Sequence, residues 1–239
     1  MPKCSIITIN YNCATELMET LASIAALTSG DFETIVVDGY SKDGSDKVME
    51  DFSFLIDKPL SEPDRGIYDA MNKGLELAEG EYVIFMNSGD SFHDPEVMSR
   101  IPFGDADVIY GKAYSMQSGQ EWAYNDQLWK GMICSHQATF FRTALVQELK
   151  FSEKYRIVAD YDLYVRLANS GATFLSVDTP VARIDTSGVS FSSFEERTME
   201  RLDVCRTYYP GQAVRDYFRE LFRANGCEIP KELEDAVGG

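Results

Sequence analysis

The chain has 239 residues, 44% of them hydrophobic, which is enough to bury a substantial core in one large domain. Its 22 Lys and Arg residues face 39 Asp and Glu residues, and the resulting net charge of −17 repels phosphodiester backbones and anionic lipid headgroups. The composition therefore excludes nucleic acid as an expected partner, while a local basic patch could still bind a small phosphorylated ligand.

Cysteine usage and hydropathy bear on where the protein works. The cysteines are widely spaced and contain no C-x-x-C pair, which predicts neither a disulfide framework nor a zinc site. No apolar run approaches the roughly 18 residues that span a bilayer, and the first residues lack the apolar segment of a signal peptide. We therefore expect a cytoplasmic protein that meets a membrane, if at all, as a peripheral protein at its inner face.

The first 90 residues alternate between short apolar runs and segments with helical spacing. The apolar runs predict strands over residues 4–10, 33–38, 54–58 and 82–86. Between them the spacing predicts a helix stopped by Gly30, a helix from near Ser45 and a helix ended by Gly80. This alternation is typical of a parallel sheet with helices on both faces. We therefore predict an α/β fold with a Rossmann-like, mostly parallel central sheet.

Beyond Asp90 the alternation loosens and indicates a mixed α+β half. The predicted elements are strands over residues 108–114 and 138–142, a helix over residues 159–170 and a strand pair within residues 173–184. We assign residues 1–190 to one domain. Residues 191–239 are predicted to form a C-terminal helical extension packed on that domain, with residues 228–239 as a loose end.

The predicted extension contains two helices broken at Tyr209-Pro210-Gly211. In the second helix an apolar stripe runs beside a basic stripe of Arg215, Arg219 and Arg223. The basic stripe could contact lipid headgroups or an acceptor diphosphate. It could equally be a solvated face in which the arginines pair with neighbouring acids.

Polar clusters follow the first four predicted strands. In open parallel sheets ligands bind beyond the carboxyl ends of the strands, so these clusters are expected to converge on one edge. Each cluster alone has a simpler interpretation, since Asp, Gly and Ser are common turn and capping residues. The clusters are Asn10-Tyr11-Asn12, residues 38–44, the group Glu62, Asp64 and Arg65, and residues 87–90.

Five blocks of sequence, in order, resemble the inverting nucleotide-sugar glycosyltransferases of family 2, which have the GT-A fold. The resemblance extends over roughly residues 3–185 of this chain. The blocks are SIITINYN at residues 5–12, VVDGYSKDGS at 36–45, YDAMNKGLELAEGEYVIFMNSGD at 68–90, HQATFFR at 136–142 and VADYDLYVRL at 158–167.

The resemblance implies a reaction and its participants. The donor would be a sugar linked to a nucleoside diphosphate, with a UDP-sugar favoured, and a divalent cation, Mg²⁺ or Mn²⁺, would assist. The sugar would pass in one in-line displacement to a hydroxyl of a glycan or lipid-linked acceptor. By the same resemblance Asp38 would hold the nucleobase, Tyr11 would line its pocket, and Asp64 and Arg65 would border the nucleotide. Arg65 could instead be an ordinary surface cation.

The chain departs from the family pattern at the end of the fourth strand. Where the family usually shows Asp-x-Asp, this chain has Asn87-Ser88-Gly89-Asp90, so one carboxylate is replaced by an amide. Mg²⁺ commonly takes one or two carboxylates and completes its shell with phosphate oxygens and water, so Asp90 alone is a sufficient protein carboxylate. We therefore predict Asp90 as the metal ligand and place Asn87 and Ser88 beside the nucleotide.

A second carboxylate must take the proton of the attacking hydroxyl on the opposite face of the sugar. The resemblance maps this base onto Asp160, with Ala159 in place of the family's preceding Glu. Asp162 and His136 are predicted to contact substrate. Alternatively, one of the two acids caps a helix, and His136 is a buried, hydrogen-bonded core residue.

Two other functions remain open at the level of sequence. A sugar nucleotidyltransferase should carry a Gly-rich basic loop after the first strand, and residues 10–13 do not match one. A non-catalytic sugar-nucleotide-binding module would explain the amide at Asn87 and the alanine at Ala159. The signature residues do not specify the donor sugar, the acceptor, the linkage or the oligomeric state.

Overall fold

The computed structural model describes residues 2–28, 30–185 and 194–233. Within those residues, eight strands form one sheet: β1 Cys4–Asn10, β2 Phe32–Asp38, β3 Lys58–Ser61, β4 Tyr82–Phe85, β5 Ser91–Phe92, β6 Val108–Ser115, β7 Thr139–Arg142 and β8 Phe174–Ile184. Their order across the sheet is β3-β2-β1-β4-β7-β6-β8-β5. Four strand pairings are parallel and three are antiparallel.

Helices cover both faces of this sheet. They are α1 Ala14–Ala25, α2 Ser45–Asp51, α3 Ile67–Leu77, α4 Thr143–Leu149, α5 Ala159–Asn169, α6 Phe194–Tyr208 and α7 Gln212–Ala224. One apolar layer lies between the sheet and helices α3 and α5, and a second lies under α1 on the other face. In the described part of the chain, no helix combines the length and apolar character needed to cross a membrane.

The parallel half of the sheet confirms the predicted β-α-β-α-β-α-β order. Strand β1 pairs in parallel with β2 and with β4, and β2 pairs in parallel with β3. All seven residues of β1 are buried. Ile7 and Ile9 contribute to one apolar layer while Ile6 contributes to the other, as a strand covered on both faces requires.

The third strand lies later in the chain than predicted. Residues 54–58 were predicted as strand from their apolar character, but Phe54 is 78% exposed in the turn after α2. The strand is Lys58–Ser61, at the edge of the sheet. Pro59 is compatible with that position because an edge strand can leave one side of its backbone unpaired.

The second half differs from the prediction in two respects. Residues 173–184 form the single long strand β8 instead of a pair, and its register against β6 shifts around Lys112. The short helix α4 follows β7 directly and was not predicted. Strand β7 runs antiparallel between β4 and β6, which confirms the mixed character of this half.

The C-terminal helices pack on the same core as α5. Leu202 of α6 and Phe218 and Phe222 of α7 are buried in the layer that also contains α5 residues. The proposed boundary at residue 190 falls among residues 186–193, outside the described part, so the division remains a prediction. The loose end predicted from residue 228 is wrong for residues 231–233, because Leu233 is fully buried and its carbonyl accepts from Arg219.

The basic stripe of α7 carries bonds within the chain. The Arg215 guanidinium donates to Gln212 at 2.7 Å, and Arg219 pairs with Asp216 at 3.0 Å. These contacts favour the solvated, internally paired interpretation of the stripe. The apolar stripe of Val214, Phe218 and Phe222 is buried, as its spacing predicts.

Close packing of α3 on β1 leaves no room for a side chain at Gly74, which yields a prediction. A Cβ at this position would lie 2.5 Å from Cγ2 of the buried Ile7. Gly74→Ala gains about 1 kcal/mol of helix propensity. We nevertheless expect a net loss of about 1–3 kcal/mol of unfolding free energy, because the β-branched Ile7 must move. Urea denaturation measures it.

Gly211→Ala is the matched control for this substitution. A Cβ at Gly211 meets no atom within 4 Å, and the backbone there is extended. Its unfolding free energy should stay within about 0.5 kcal/mol of the wild type. Equal effects of the two substitutions would contradict the packing argument.

Candidate active site

Asp38, at the carboxyl end of β2, organises the first part of the site. Its buried carboxylate accepts from the Asn10 amide at 2.8 Å, the Ser41 hydroxyl at 2.5 Å and amide at 3.0 Å, and the Ser61 hydroxyl at 2.8 Å. Burial raises the pKa of Asp38, but the hydrogen bonds outweigh it and hold the pKa below its ordinary value. These four donors use the carboxylate's acceptor capacity. The nucleobase contact predicted for Asp38 stays a prediction, and the geometry favours an indirect role.

Asn10 connects this loop to the end of β4. Its Oδ1 accepts from the Ser88 hydroxyl at 3.0 Å, while its Nδ2 donates to Asp38 and to Ser45 Oγ at 2.9 Å. Asn10 belongs to the first predicted polar cluster, but no role was predicted for it. Its signal in the sequence is simple, since it is the first amide after a run of buried β-branched residues.

Tyr11 and Asp64 both approach Gly39. A Cβ at Gly39 would lie 2.4 Å from Asp64 Oδ2 and 2.9 Å from Tyr11 Cδ2, so the glycine lets both side chains come close to the backbone here. The Tyr11 side chain is 64% exposed, which leaves its ring available to a ligand. The structure thus brings together Tyr11, Asp64 and the loop that follows Asp38, as predicted from their places at the strand ends.

Arg65 lies near this group but is engaged by acids. Its guanidinium donates to Asp69 at 2.6 Å and to Glu153 at 2.9 Å, and its side chain is 73% exposed. The hydrogen bond from Arg65 lowers the pKa of Asp69, which also lies 3.5 Å from Lys73. These contacts favour the surface-cation interpretation, and the nucleotide contact predicted for Arg65 remains a prediction.

A hydrogen-bonded path runs from β4 to α5. The Asn87 amide nitrogen lies 3.3 Å from His136 Nε2, and His136 Nδ1 lies 3.2 Å from Asp160 Oδ2. A neutral His136 with its proton on Nδ1 satisfies both contacts, because Nδ1–H then donates to Asp160 and Nε2 accepts from Asn87. The amide of Asn87 can donate to Nε2, whereas an aspartate at this position could not.

His136 and Asp160 thus meet, although 24 residues separate them in the chain. His136 is hydrogen-bonded at both ring nitrogens and its side chain is 12% exposed, while its predicted substrate contact remains a prediction. Asp160 does not serve as the N-cap of α5, because Val158 holds that position without a side-chain cap. The Tyr68 hydroxyl lies 3.4 Å from Asp160 Oδ1, and the Tyr161 amide donates to it at 2.8 Å.

Asp90 is 5% exposed and is held by neutral donors. Its carboxylate accepts from Gln137 Nε2 at 3.0 Å and from the Asp185 amide at 3.0 Å. Burial is the main cause that raises the pKa of Asp90 to about 6, since these hydrogen bonds compensate only part of the desolvation. Gln137 and Asp185 were not among the predicted residues.

The site residues fit a divalent cation, which the family resemblance implies. Asp90 offers a buried carboxylate whose hydrogen-bond partners are uncharged, and Asn87 Oδ1 is buried without a hydrogen-bond partner in the described structure. Carboxylate and amide oxygens suit Mg²⁺ and Mn²⁺. Among the described residues no group of three or more His, Cys, Asp and Glu side chains could hold a metal, so a cation here would need ligands from the substrate.

Asp162 does not join this group. Its buried carboxylate pairs with Arg166 at 2.7 Å and lines a separate hollow of about 430 Å³ with Tyr155 and Thr207. Burial raises the pKa of Asp162, and Arg166 opposes that rise. The reason is helical geometry, because residues two apart on a helix point to different sides. The predicted substrate contact of Asp162 therefore lacks structural support.

A second hollow lies beside β6, β8 and the segment that follows β6. It measures about 330 Å³ and is lined by three aromatic residues, Tyr110, Trp122 and Tyr124, with Lys112, Glu121 and Asp178 among the charged ones. Burial raises the pKa of Tyr124, and the charge of Asp160 adds to that rise. The residues that line the hollow were not among the predicted site residues.

Comparison with known proteins assigns the family. The model described as "Glycosyl transferase family 2" matches residues 5–159. The chain belongs to glycosyl transferase family 2. Over 184 residues, 72% of each chain, it is 33% identical to the PGL/p-HBAD biosynthesis glycosyltransferase of Mycobacterium bovis. It is also 25% identical, over 207 residues, to the amylovoran biosynthesis glycosyltransferase AmsB of Erwinia amylovora. This match covers 74% of this chain and 68% of the relative.

Solved glycosyltransferases of the GT-A fold have a similar architecture. TarS 1-349 of S. aureus, in complex with UDP-GlcNAc, superposes on this chain with a TM-score of 0.70 at 21% sequence identity. The superposition covers 94% of this chain and 74% of the TarS chain. The mannosyltransferase PcManGT of Pyrobaculum calidifontis, in complex with GDP-Man and Mn2+, gives 0.68 at 15% identity, with coverage of 94% and 69%. The GT-A prediction is confirmed, and this family 2 member is a glycosyltransferase.

The raised pKa of Asp90 predicts a pH-dependent stability. The folded-state pKa of about 6 exceeds the ordinary aspartate value of 3.8. The stabilising contribution of the bound proton is therefore present at low pH and lost as the pH rises through about 6. Asp90→Asn removes this titration. We expect the melting temperature of Asp90→Asn, relative to the wild type, to rise between about pH 4.5 and about pH 8.

Asp126→Asn is the control, since the Asp126 side chain is 74% exposed. Its melting temperature relative to the wild type should stay flat over the same pH range. Thermal unfolding without added metal, followed by circular dichroism, measures both series. A flat difference for Asp90→Asn would refute the raised pKa.

Proposed function

We propose that this glycosyltransferase transfers a sugar from a nucleoside-diphosphate sugar, with a UDP-sugar as the favoured donor, to a hydroxyl of a glycan or lipid-linked acceptor, with inversion. The observation that carries the proposal is the hydrogen-bonded edge of the sheet. One set of contacts joins Asp38, Asn10 and Ser88, and the neighbouring set joins Asn87, His136 and Asp160.

The order of strands supports this assignment of roles. Along the sheet, β2 carries Asp38, β1 carries Asn10, β4 is followed by Asn87–Asp90, and His136 precedes β7. Adjacent strands lie about 4.8 Å apart, so the four steps from β2 to β6 span about 19 Å. A nucleotide over β1 and β2 would place its diphosphate near β4 and its sugar toward His136 and Asp160.

Solved structures with a similar fold support a nucleotide-sugar donor. The bound ligands named for TarS and PcManGT are UDP-GlcNAc and GDP-Man. In this chain the exposed ring of Tyr11 and the carboxylate of Asp64 flank Gly39, and together they would receive the nucleoside. An aromatic face and an acceptor oxygen suit a base and a ribose.

Asp160 is the proposed general base. Its Oδ2 faces His136 and its Oδ1 accepts from the Tyr161 amide, so its acceptor capacity is only partly used. The acceptor hydroxyl would give its proton to Asp160 while its oxygen bonds to the anomeric carbon. The bond from that carbon to the diphosphate oxygen breaks, and the electron pair leaves with the nucleoside diphosphate. Attack opposite the leaving group inverts the anomeric configuration.

Asp90 and Asn87 would hold the proposed Mg²⁺ or Mn²⁺. Such a cation would stabilise the negative charge that develops on the departing diphosphate. Gln137 and the Asp185 amide fix the Asp90 carboxylate, and Asn87 also orients His136. The PcManGT structure contains Mn2+, which supports a metal-assisted reaction in this fold.

The acceptor would enter over β6 and β8. Aromatic rings with nearby charged groups suit a sugar, because the rings cover its apolar face and the polar groups bond its hydroxyls. The hollow lined by Tyr110, Trp122 and Tyr124 has that character, and its strands β6 and β8 lie beyond β7 from β2 in the sheet order. The relatives named for PGL/p-HBAD and amylovoran biosynthesis support a glycan or lipid-linked acceptor. A lipid-linked acceptor would bring the enzyme to the cytoplasmic face of the membrane as a peripheral protein.

Substitution of the proposed base gives a direct test. Asp160→Asn should lower kcat by about 10²- to 10⁴-fold, because the amide cannot take the proton. Its affinity for UDP with Mn²⁺ should be unchanged. Asp162→Asn, two residues along the same helix, should lose thermal stability and keep its kcat within about threefold. Transfer is measured as nucleoside diphosphate released from a panel of nucleotide sugars.

The same assay separates the proposal from its alternative. Tight nucleotide-sugar binding without turnover in the wild type would indicate the non-catalytic binding module. The anomeric configuration of the product, read by NMR, tests inversion. A product that retains the donor configuration would exclude a single displacement.

The acceptor hollow gives a separate prediction. Trp122→Ala should raise the acceptor KM by about 10-fold and leave slow donor hydrolysis by water unchanged, because the nucleotide half of the site is intact. Trp122→Phe should restore part of the loss. Met116→Ala, at the exposed tip that follows β6, is the control and should behave as wild type. An unchanged acceptor KM in Trp122→Ala would place the acceptor elsewhere.

A further inference from the structure

Glu200 of α6 hydrogen-bonds to the loop that leads into α5. Its Oε1 accepts from the Arg156 amide at 2.9 Å, and its Oε2 accepts from the Ile157 amide at 2.9 Å and the Val158 amide at 3.0 Å. One carboxylate thus binds three consecutive backbone N–H groups. Glu200 lies outside the segment that matches the family model, which ends at residue 159.

These N–H groups need a partner from elsewhere in the chain. Arg156 and Ile157 precede α5, and Val158 is its N-cap without a side-chain capping bond, so none of the three N–H groups has a partner within the helix. Ile157 and Val158 are also buried, so water is a poor substitute. Ala159 brings no carboxylate to this turn, and α6 supplies one.

The loop that Glu200 binds sets the position of Asp160. Asp160 follows Val158 by two residues and lies in the first turn of α5. From the other side, the Tyr68 hydroxyl donates to the Ile157 carbonyl at 2.7 Å. The loop is therefore held at its N–H groups by Glu200 and at a carbonyl by Tyr68. Both contacts fix the backbone from which the Asp160 side chain extends toward His136.

We propose that Glu200 is a positioning residue for the transfer reaction and acts through Asp160. The inference rests on the proposed function, in which Asp160 is the base. The three backbone bonds hold the first turn of α5 so that Asp160 stays within 3.2 Å of His136. On this view the C-terminal helix α6 is part of the catalytic framework. A shift of about 1 Å in a reacting group can cost about 100-fold in rate.

Two substitutions at Glu200 test the inference. Glu200→Ala removes all three bonds, and Glu200→Gln keeps one acceptor oxygen and the side-chain shape. We expect kcat to fall by about 10- to 100-fold in Glu200→Ala and by less in Glu200→Gln. The donor KM and the Kd for UDP with Mn²⁺, or GDP if the panel selects it, should stay within about threefold of the wild type. Melting temperatures identify any variant that has not folded.

Glu196→Gln is the matched control. Glu196 lies one turn earlier on α6, is exposed and pairs with the Arg156 side chain at 3.8 Å. Its kcat should equal that of the wild type. A similar loss of kcat in Glu196→Gln and Glu200→Gln would show a general effect of charge on α6 and would overturn the inference.

The double variant Asp160→Asn with Glu200→Ala distinguishes positioning from general support of the fold. If Glu200 acts through Asp160, the double variant is no slower than Asp160→Asn alone. Multiplied losses would overturn the inference, as would a kcat in Glu200→Ala equal to that of Glu196→Gln. Failure of the proposed function looks different, because Asp160→Asn itself would then retain the wild-type kcat.

Discussion

The buried side-chain amide of Asn10 joins three segments that leave the sheet at the same edge. It donates to Asp38 and Ser45 and accepts from Ser88, so both its nitrogen and its oxygen are engaged. Asn10 lies opposite Asp38 in the parallel pairing of β1 and β2, which brings the two side chains to one face of the sheet. A slip of one residue would turn the amide to the other face. The register of the sheet is therefore what assembles the site.

The carboxylates along this edge of the sheet have neutral hydrogen-bond donors instead of cationic partners. The carboxylates of Asp38 and Asp90 are held by hydroxyl, amide and backbone donors, all of them neutral. The nearby Arg65 is already paired with Asp69 and Glu153. In a chain with a net charge of −17, a diphosphate that binds here would add negative charge to an edge that already carries these carboxylates. This environment is consistent with the proposed divalent cation, which would bring its positive charge in with the substrate.

The parallel half of the fold could be predicted from sequence because its signals are local. Buried β-branched runs, helical spacing and glycine stops determined the order from β1 to β4, and polar residues at the strand ends indicated the edge that carries the site. The short strand β3 was misplaced, since the apolar character of Phe54 belongs to an exposed turn. Helix α4 left too brief a periodic pattern to detect.

Several site residues could not be predicted because their partners are distant in the chain. Gln137 reaches Asp90 and Glu200 reaches Val158 only after β7 and α6 have packed. Asp160 and Asp162 are close in sequence, but the helix turns their side chains apart. Sequence spacing identified both carboxylates, and only the packed structure separates the one beside His136 from the one beside Arg166.

The linear strand order has an evolutionary consequence. Donor recognition is expected over β1 and β2, while the aromatic hollow is built from β6, β8 and the segment that returns after β6. Different stretches of chain therefore encode the two ends of the reaction, with the β4 and β7 residues between them. Mutations that remodel one end need not disturb the other. An enzyme with this scaffold can therefore acquire new acceptors, and so make new products, while it keeps the same activated sugar as its donor.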